Sequence, residues 1–65
     1  MAKYKFFYSI SNNKNIQQKE YDSTYNINQV KSFFLNDTPN VTEITRIDIL
    51  DDPQGINTDE ALGYN

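Results

Sequence analysis

Apolar and polar side chains alternate along the N-terminal segment, residues 3–11. One face of this segment carries Tyr4, Phe6, Tyr8 and Ile10, and the other carries Lys3, Lys5, Phe7 and Ser9. Aromatic and β-branched residues at every second position predict a half-buried β-strand. Asparagine is frequent in residues 12–15, and it tolerates the positive φ that a tight reversal needs. Residues 16–25 alternate more weakly and carry several charges, which is typical of an edge strand.

The next segment shows the pattern of a capped helix. Asn26 and Gln29 have the spacing of a capping box, and Tyr25 before the cap predicts a hydrophobic staple with Val30. One apolar stripe then recurs at helical spacing, at Ile27, Val30 and Phe34. Asn36 can adopt a left-handed C-terminal conformation, and Pro39 prevents continuation. We therefore expect a helix over about 27–35.

Residues 41–50 are rich in β-branched side chains and predict a third strand. Ile44 is out of phase with Ile47 and Ile49 in a strict alternation. Either a β-bulge shifts the phase or both faces of the strand are partly covered. A helix would also fit the spacing, but the β-branched content favours the strand. Asp52 to Gly55 then has the composition of a turn.

These elements predict an α+β fold with the order ββαβ. We expect a three-stranded, mainly antiparallel sheet with one helix packed on one face. The chain has 65 residues, which is enough for one small domain over 1–50, followed by an acidic C-terminal turn or tail over 51–65. The predicted core residues are Tyr4, Phe6, Tyr8, Ile10, Val30, Phe34, Ile47 and Ile49.

Composition narrows the functional classes. The chain has no cysteine and no histidine, so it has no thiol nucleophile, imidazole base or common zinc ligand set. A chain this short has little material for a concave ligand pocket. We therefore expect a non-enzymatic protein without cofactor or metal. It has no apolar run long enough for a membrane span and no apolar signal segment, so a cytoplasmic location is expected.

Charge is distributed unevenly. Residues 1–35 carry five lysines and two carboxylates, a balance of +3, whereas residues 36–65 carry one arginine and seven carboxylates, a balance of −6. Much of the acidic half lies in one cluster, Asp48, Asp51, Asp52, Asp59 and Glu60. The spacing of these carboxylates does not match the calcium-binding loop of an EF-hand. If these side chains share one surface, they could imitate a phosphate backbone and bind a cationic protein. Alternatively, they only keep the protein soluble.

Lysines alternate with aromatic residues in the first strand. Lys3, Lys5 and Phe7 share the face opposite the predicted core. Exposed strand aromatics with nearby lysines can stack single-stranded bases and hold their phosphates. A single-stranded nucleic-acid-binding module is therefore an alternative function, although the net charge of −3 makes nucleic acid an unfavourable partner.

The order of elements resembles the small uracil-DNA glycosylase inhibitors of some Bacillus phages. The similar region covers about residues 16–50 and includes Asp37-Thr38 and the mixed-charge strand from Glu43 to Asp48. The resemblance implies a dimer that binds through aromatic and acidic groups on and beside its helix. Phe33 and Phe34 would be the nearest analogues of the aromatic groups.

The leading hypothesis is a small acidic protein-binding module. We expect a phage or mobile-element inhibitor of a nucleic-acid-acting enzyme of host defence or repair, with DNA mimicry as one mechanism and with Phe33 joining the acidic cluster in partner binding. A further alternative is a small accessory subunit that pairs through a strand edge with a larger protein or with itself as a homodimer.

Overall fold

A computed structural model describes residues 1–57 of the chain. It contains one helix and three strands, in the order β1 (Ala2–Ile10), β2 (Asn13–Ser23), α1 (Ile27–Asp37) and β3 (Val41–Asp51). The strands form one open antiparallel sheet in the order β2-β1-β3. The predicted α+β fold is therefore confirmed. The most apolar strand, β1, lies in the centre, and the two more polar strands form the edges.

The hairpin between β1 and β2 is tighter than the sequence predicts. Ser11 and Asn12 form the turn, and β2 begins at Asn13 instead of residue 16. The Asn13 side chain accepts the backbone N–H of Asn15 at 2.9 Å. This local bond accompanies a register shift next to the turn, between Tyr8 and Ile10.

The N-terminus of α1 is capped by polar side chains. The predicted capping box is present: Gln29 N–H donates to Asn26 Oδ1 at 3.0 Å, and Asn26 N–H donates to Gln29 Oε1 at 3.2 Å. The helix continues to Asp37, so the expected end at residue 35 is two residues short, and Thr38 is the C-cap. Tyr25 packs its ring against Phe33 at 5.4 Å, while Val30 is buried in the core.

The core lies between the central strand and one face of the helix. Its buried side chains are Ala2, Tyr4, Phe6, Tyr8, Val30 and Phe34, all of them fully buried except Tyr8, which is 9% exposed. The Phe34 ring stacks on Phe6 with centroids 4.5 Å apart and meets Tyr8 edge-on at 4.8 Å. Helix and sheet are thus joined by aromatic packing, which adds to the free energy of apolar burial.

The predicted core was wrong at one position and incomplete at others. Ile49 is 40% exposed, because it lies near the end of an edge strand and is not among the residues packed against the core. Ile10 and Ile47 are partly buried against the core, as is Ile44, which the alternation had left unassigned.

Three register shifts explain the phase of the third strand. In β3, three residues have no pairing partner in β1, namely Thr42, Thr45 and Leu50. Because of the shift at Thr45, Ile44 lies opposite Tyr8 while Arg46 lies opposite Phe7. A β-bulge of this kind reverses the alternation locally, so Ile44 and Ile47 both face the helix. The bulge alternative was correct.

The chain after β3 folds back onto the start of the helix. The predicted turn is present: Gly55 N–H donates to the Asp52 carbonyl at 3.1 Å, and Gly55 has a φ of 65° that favours glycine. Ile56 packs against the core. Asn57 accepts the N–H of Ile27 at 2.7 Å through its side-chain oxygen. The helix N-terminus is therefore tied to the C-terminal loop as well as capped.

Candidate functional site

The face of the sheet opposite α1 is the candidate interaction surface, and we call it the open face. No other element of residues 1–57 covers it. Residues paired across antiparallel strands share a face, so the register determines which side chains it carries. They are Lys3, Lys5, Phe7 and Ser9 from β1, Gln18, Glu20 and Asp22 from β2, and Glu43, Arg46, Asp48 and Asp51 from β3.

Carboxylates flank the lysines of the central strand. Lys3 lies between Asp22 and Asp51 in the two neighbouring strands. In the same way, Lys5 lies between Glu20 and Asp48. The carboxylates thus form two rows, one along each edge strand, and the strand spacing puts the rows about 10 Å apart.

Five carboxylates and three cations make this surface acidic overall. Each β2 carboxylate, Glu20 and Asp22, is exposed, and so are Glu43 and Asp51 on β3. Asp48 is engaged with Arg46, whose Nε and Nη2 donate to its two oxygens at 3.0 and 3.1 Å. This is the single ion pair within the described chain. The remaining carboxylates are available to a partner.

Phe7 forms an aromatic position at one end of the open face. The Arg46 guanidinium lies over its ring at 4.3 Å from the centroid, and the Lys5 ammonium is 5.5 Å away. A shallow hollow beside it is lined by Phe7, Ile16, Thr45 and Arg46. Because Arg46 already stacks on the ring, a nucleic-acid base would have to displace it to stack on Phe7.

The structure separates the residues predicted to bind a partner. Asp48 and Asp51 lie on the open face. Phe33 is 45% exposed on the helix, in the layer on the other side of the sheet, so it does not belong to the same surface. Asp59 and Glu60 lie outside the described residues.

Asp52 has a local structural role. Its carboxylate accepts the backbone N–H groups of Ile56 and Asn57, both at 2.8 Å. These bonds, that from Asn57 above all, hold the pKa of Asp52 below its ordinary value against a smaller opposing effect of desolvation. The negative charge of Asp52 therefore stabilises the loop at 52–57.

Sequence reasoning missed the β2 half of the acidic surface. The charges of Glu20 and Asp22 predict a protected edge strand, whereas their place beside Lys5 and Lys3 depends on the register. The signal was present, since residues 18, 20 and 22 share a face by simple alternation. Glu43 was missed because the bulges of β3 hide its phase.

A second concave surface lies between α1 and β3. This groove of about 350 Å³ is lined by three isoleucines and by Asn28, Lys31 and Arg46, with no carboxylate in its lining. It therefore does not offer the paired carboxylates of acid–base catalysis. Residues 1–57 contain no group of three carboxylates placed to hold a metal ion. No helix within that range is long and apolar enough to cross a membrane.

No protein-family model, curated protein or solved structure matches this chain. The resemblance to uracil-DNA glycosylase inhibitors thus depends only on the element order and the residues quoted for it.

Proposed function

We propose that this protein is a non-enzymatic inhibitor of a nucleic-acid-acting enzyme and that its open face occupies the enzyme's cationic groove. The observation that carries the proposal is the pair of carboxylate rows along the two edge strands, with Glu20 and Asp22 on β2 and Asp48 and Asp51 on β3. The rows lie on one sheet face, and Lys3, Lys5 and Arg46 cancel only part of the charge, because five carboxylates against three cations leave the face with a net charge of −2.

Electrostatics explains why this surface suits such a partner. An enzyme that binds nucleic acid offers lysines and arginines to phosphates. Carboxylates presented in two rows can accept the same donors, and charge complementarity speeds the first encounter at low salt. Binding through a flat sheet face needs no deep pocket, and a chain of 65 residues has little material to form one.

The alternative of a single-stranded nucleic-acid binder has less support. Phe7 and two lysines do lie together on the open face. However, Arg46 stacks on Phe7, and each lysine has a carboxylate on both sides. A phosphate backbone that followed the lysines would pass between the two acidic rows and be repelled by them.

Displacement of labelled DNA from purified enzymes tests the proposal. The panel contains glycosylases, nucleases and restriction endonucleases, and association with the protein is followed at low and moderate salt. We expect the wild type to displace DNA from at least one enzyme with a salt-sensitive association rate. Asp51→Lys should slow that association about tenfold at low salt.

Asp37→Lys is the matched control, since it makes the same change of charge at an exposed position at the end of α1. Its association rate should stay near that of the wild type. Equal rates for wild type and Asp51→Lys would exclude the open face as the recognition surface. Salt-sensitive micromolar binding of the protein itself to a single-stranded oligonucleotide would favour the alternative function.

A further inference from the structure

The two edges of the sheet differ in their ability to accept another strand. On β3, the three bulges at Thr42, Thr45 and Leu50 interrupt the edge. On β2, residues 17–23 pair with β1 in an unbroken register, and no strand of the described chain lies on their other side. A regular edge leaves the N–H and C=O of every second residue free to pair with an added strand. β2 is therefore the edge that remains open to pairing.

The charges of β2 disfavour its pairing with a second copy. Two copies of β2 can pair antiparallel along their outer edges about a two-fold axis. The register that pairs all of residues 17–23 has this axis at residue 20 and places Glu20 opposite Glu20. Moving the two-fold axis by one residue places Lys19 opposite Lys19 or Glu20 opposite Asp22. Like charges directly opposite each other destabilise a strand pair. Each of these three antiparallel registers therefore places like charges opposite each other.

We propose that the β2 edge binds an extended segment of the partner whose basic residues alternate with uncharged residues. The basic residues of that segment would lie on the open face beside Glu20 and Asp22, which are exposed. The uncharged residues would lie on the helix side beside Lys19 and Tyr21, where the Lys19 ammonium lies 5.4 Å from the Tyr21 ring. This inference rests on the proposed function, because it takes a protein with a cationic surface as the partner.

The alternation of basic and uncharged residues in the partner segment follows from the different charges on the two faces of β2. A strand with basic residues on both faces would meet Lys19 on the helix side, and an acidic strand would meet Glu20 and Asp22 on the other. Rejection of unsuitable strands by like charge gives specificity, while main-chain hydrogen bonds supply affinity that does not depend on sequence.

A synthetic β-hairpin peptide tests the edge directly. One of its strands alternates lysine with threonine, and a second version is N-methylated on the outward amides of that strand. Binding to the full protein is followed by NMR titration and by amide hydrogen exchange. We expect shifts and new exchange protection at residues 17–23, and binding that is at least about tenfold weaker for the N-methylated hairpin, which cannot donate to β2.

Two charge reversals locate the contact. Glu20→Lys should weaken binding of the unmodified hairpin about tenfold, whereas Asp51→Lys, on the opposite edge strand, should change it less than about twofold. Thermal melts establish that both variants are folded. Absence of binding, equal binding of the N-methylated hairpin, or shifts confined to β3 would each overturn the edge site. If DNA displacement still depends on Asp51 in those cases, the proposed function survives without the edge site.

Discussion

Asn57 donates its side-chain N–H to the Tyr4 hydroxyl at 2.6 Å, across most of the length of the chain. The Tyr4 hydroxyl in turn donates to the Tyr25 carbonyl at 2.7 Å, and Asn57 accepts the N–H of Ile27. One amide therefore connects the central strand, the start of the helix and the C-terminal loop.

Loss of the Asn57 side chain should destabilise the fold. Asn57→Ala removes the donor to the Tyr4 hydroxyl and leaves the Ile27 N–H without its acceptor, both at partly buried positions, so we expect a loss of about 1–3 kcal/mol in the free energy of unfolding. Urea denaturation measures the change. Gln54→Ala, at an exposed position of the same loop, should stay within about 0.5 kcal/mol of the wild type. A similar effect of both substitutions would contradict a specific role for the amide.

Asp52 should make stability depend on pH in the acidic range. Hydrogen bonds from Asn57 and Ile56 lower its pKa in the folded state, so the unfolded state takes up the proton first as the pH falls. The stabilisation is complete above the ordinary carboxyl pKa of about 4 and is lost as the pH falls through the lower folded-state pKa.

Urea midpoints between neutral pH and about pH 2 test this dependence on Asp52. Asp52→Asn should be less stable than the wild type near neutral pH, and the gap should close in acid. Asp51→Asn, next to it in sequence but on the open face, should follow the wild-type profile. A gap between wild type and Asp52→Asn that is constant with pH would show that the carboxylate charge is not responsible.

Adjacent phenylalanines of α1 should differ sharply in their contribution to stability. Phe34 is fully buried between Phe6, Tyr8 and Tyr21, so Phe34→Ala should cost about 3–5 kcal/mol. Phe33 is nearly half exposed and its ring contacts Tyr25, so Phe33→Ala should cost about 1 kcal/mol. Thermal melts of both variants measure the difference, and an unchanged melt for Phe34→Ala would contradict the core assignment.

The features that sequence predicted correctly depend on local pattern. The strand through Phe6 and the capping box of Asn26 and Gln29 need only the spacing of neighbouring residues. The missed features depend on contacts between distant segments. Glu20 becomes part of an acidic surface only through its register with Lys5, and Asp52 is bound by the loop that follows it. Strand register and loop closure are decided by contacts between distant segments, which the spacing of neighbouring residues does not reveal.

The bulge at Thr45 allows a test of how the phase of Ile44 is set. Thr45 has no pairing partner in β1, although its hydroxyl donates to the Phe7 carbonyl at 2.9 Å. Deletion of Thr45 would make Arg46 follow Ile44 directly, and simple alternation would then still place Ile44 and Ile47 toward the helix with Arg46 on the other face. We expect this deletion to keep the fold and to cost about 1 kcal/mol, the value of the lost hydrogen bond.

Deletion of Asp48 is the matched control, because Asp48 pairs in regular register with Lys5. A one-residue slip of the preceding part of the strand turns the partly buried Ile47 away from the helix, whereas a slip of the following part moves Ile49, which is already 40% exposed. We expect this variant to lose more stability than the deletion of Thr45, because either slip turns an isoleucine away from the helix side and the ion pair of Asp48 with Arg46 is lost as well. Urea denaturation compares the two deletions directly. If deletion of Thr45 is as damaging as deletion of Asp48, the bulge has a role in strand twist beyond setting the phase of Ile44.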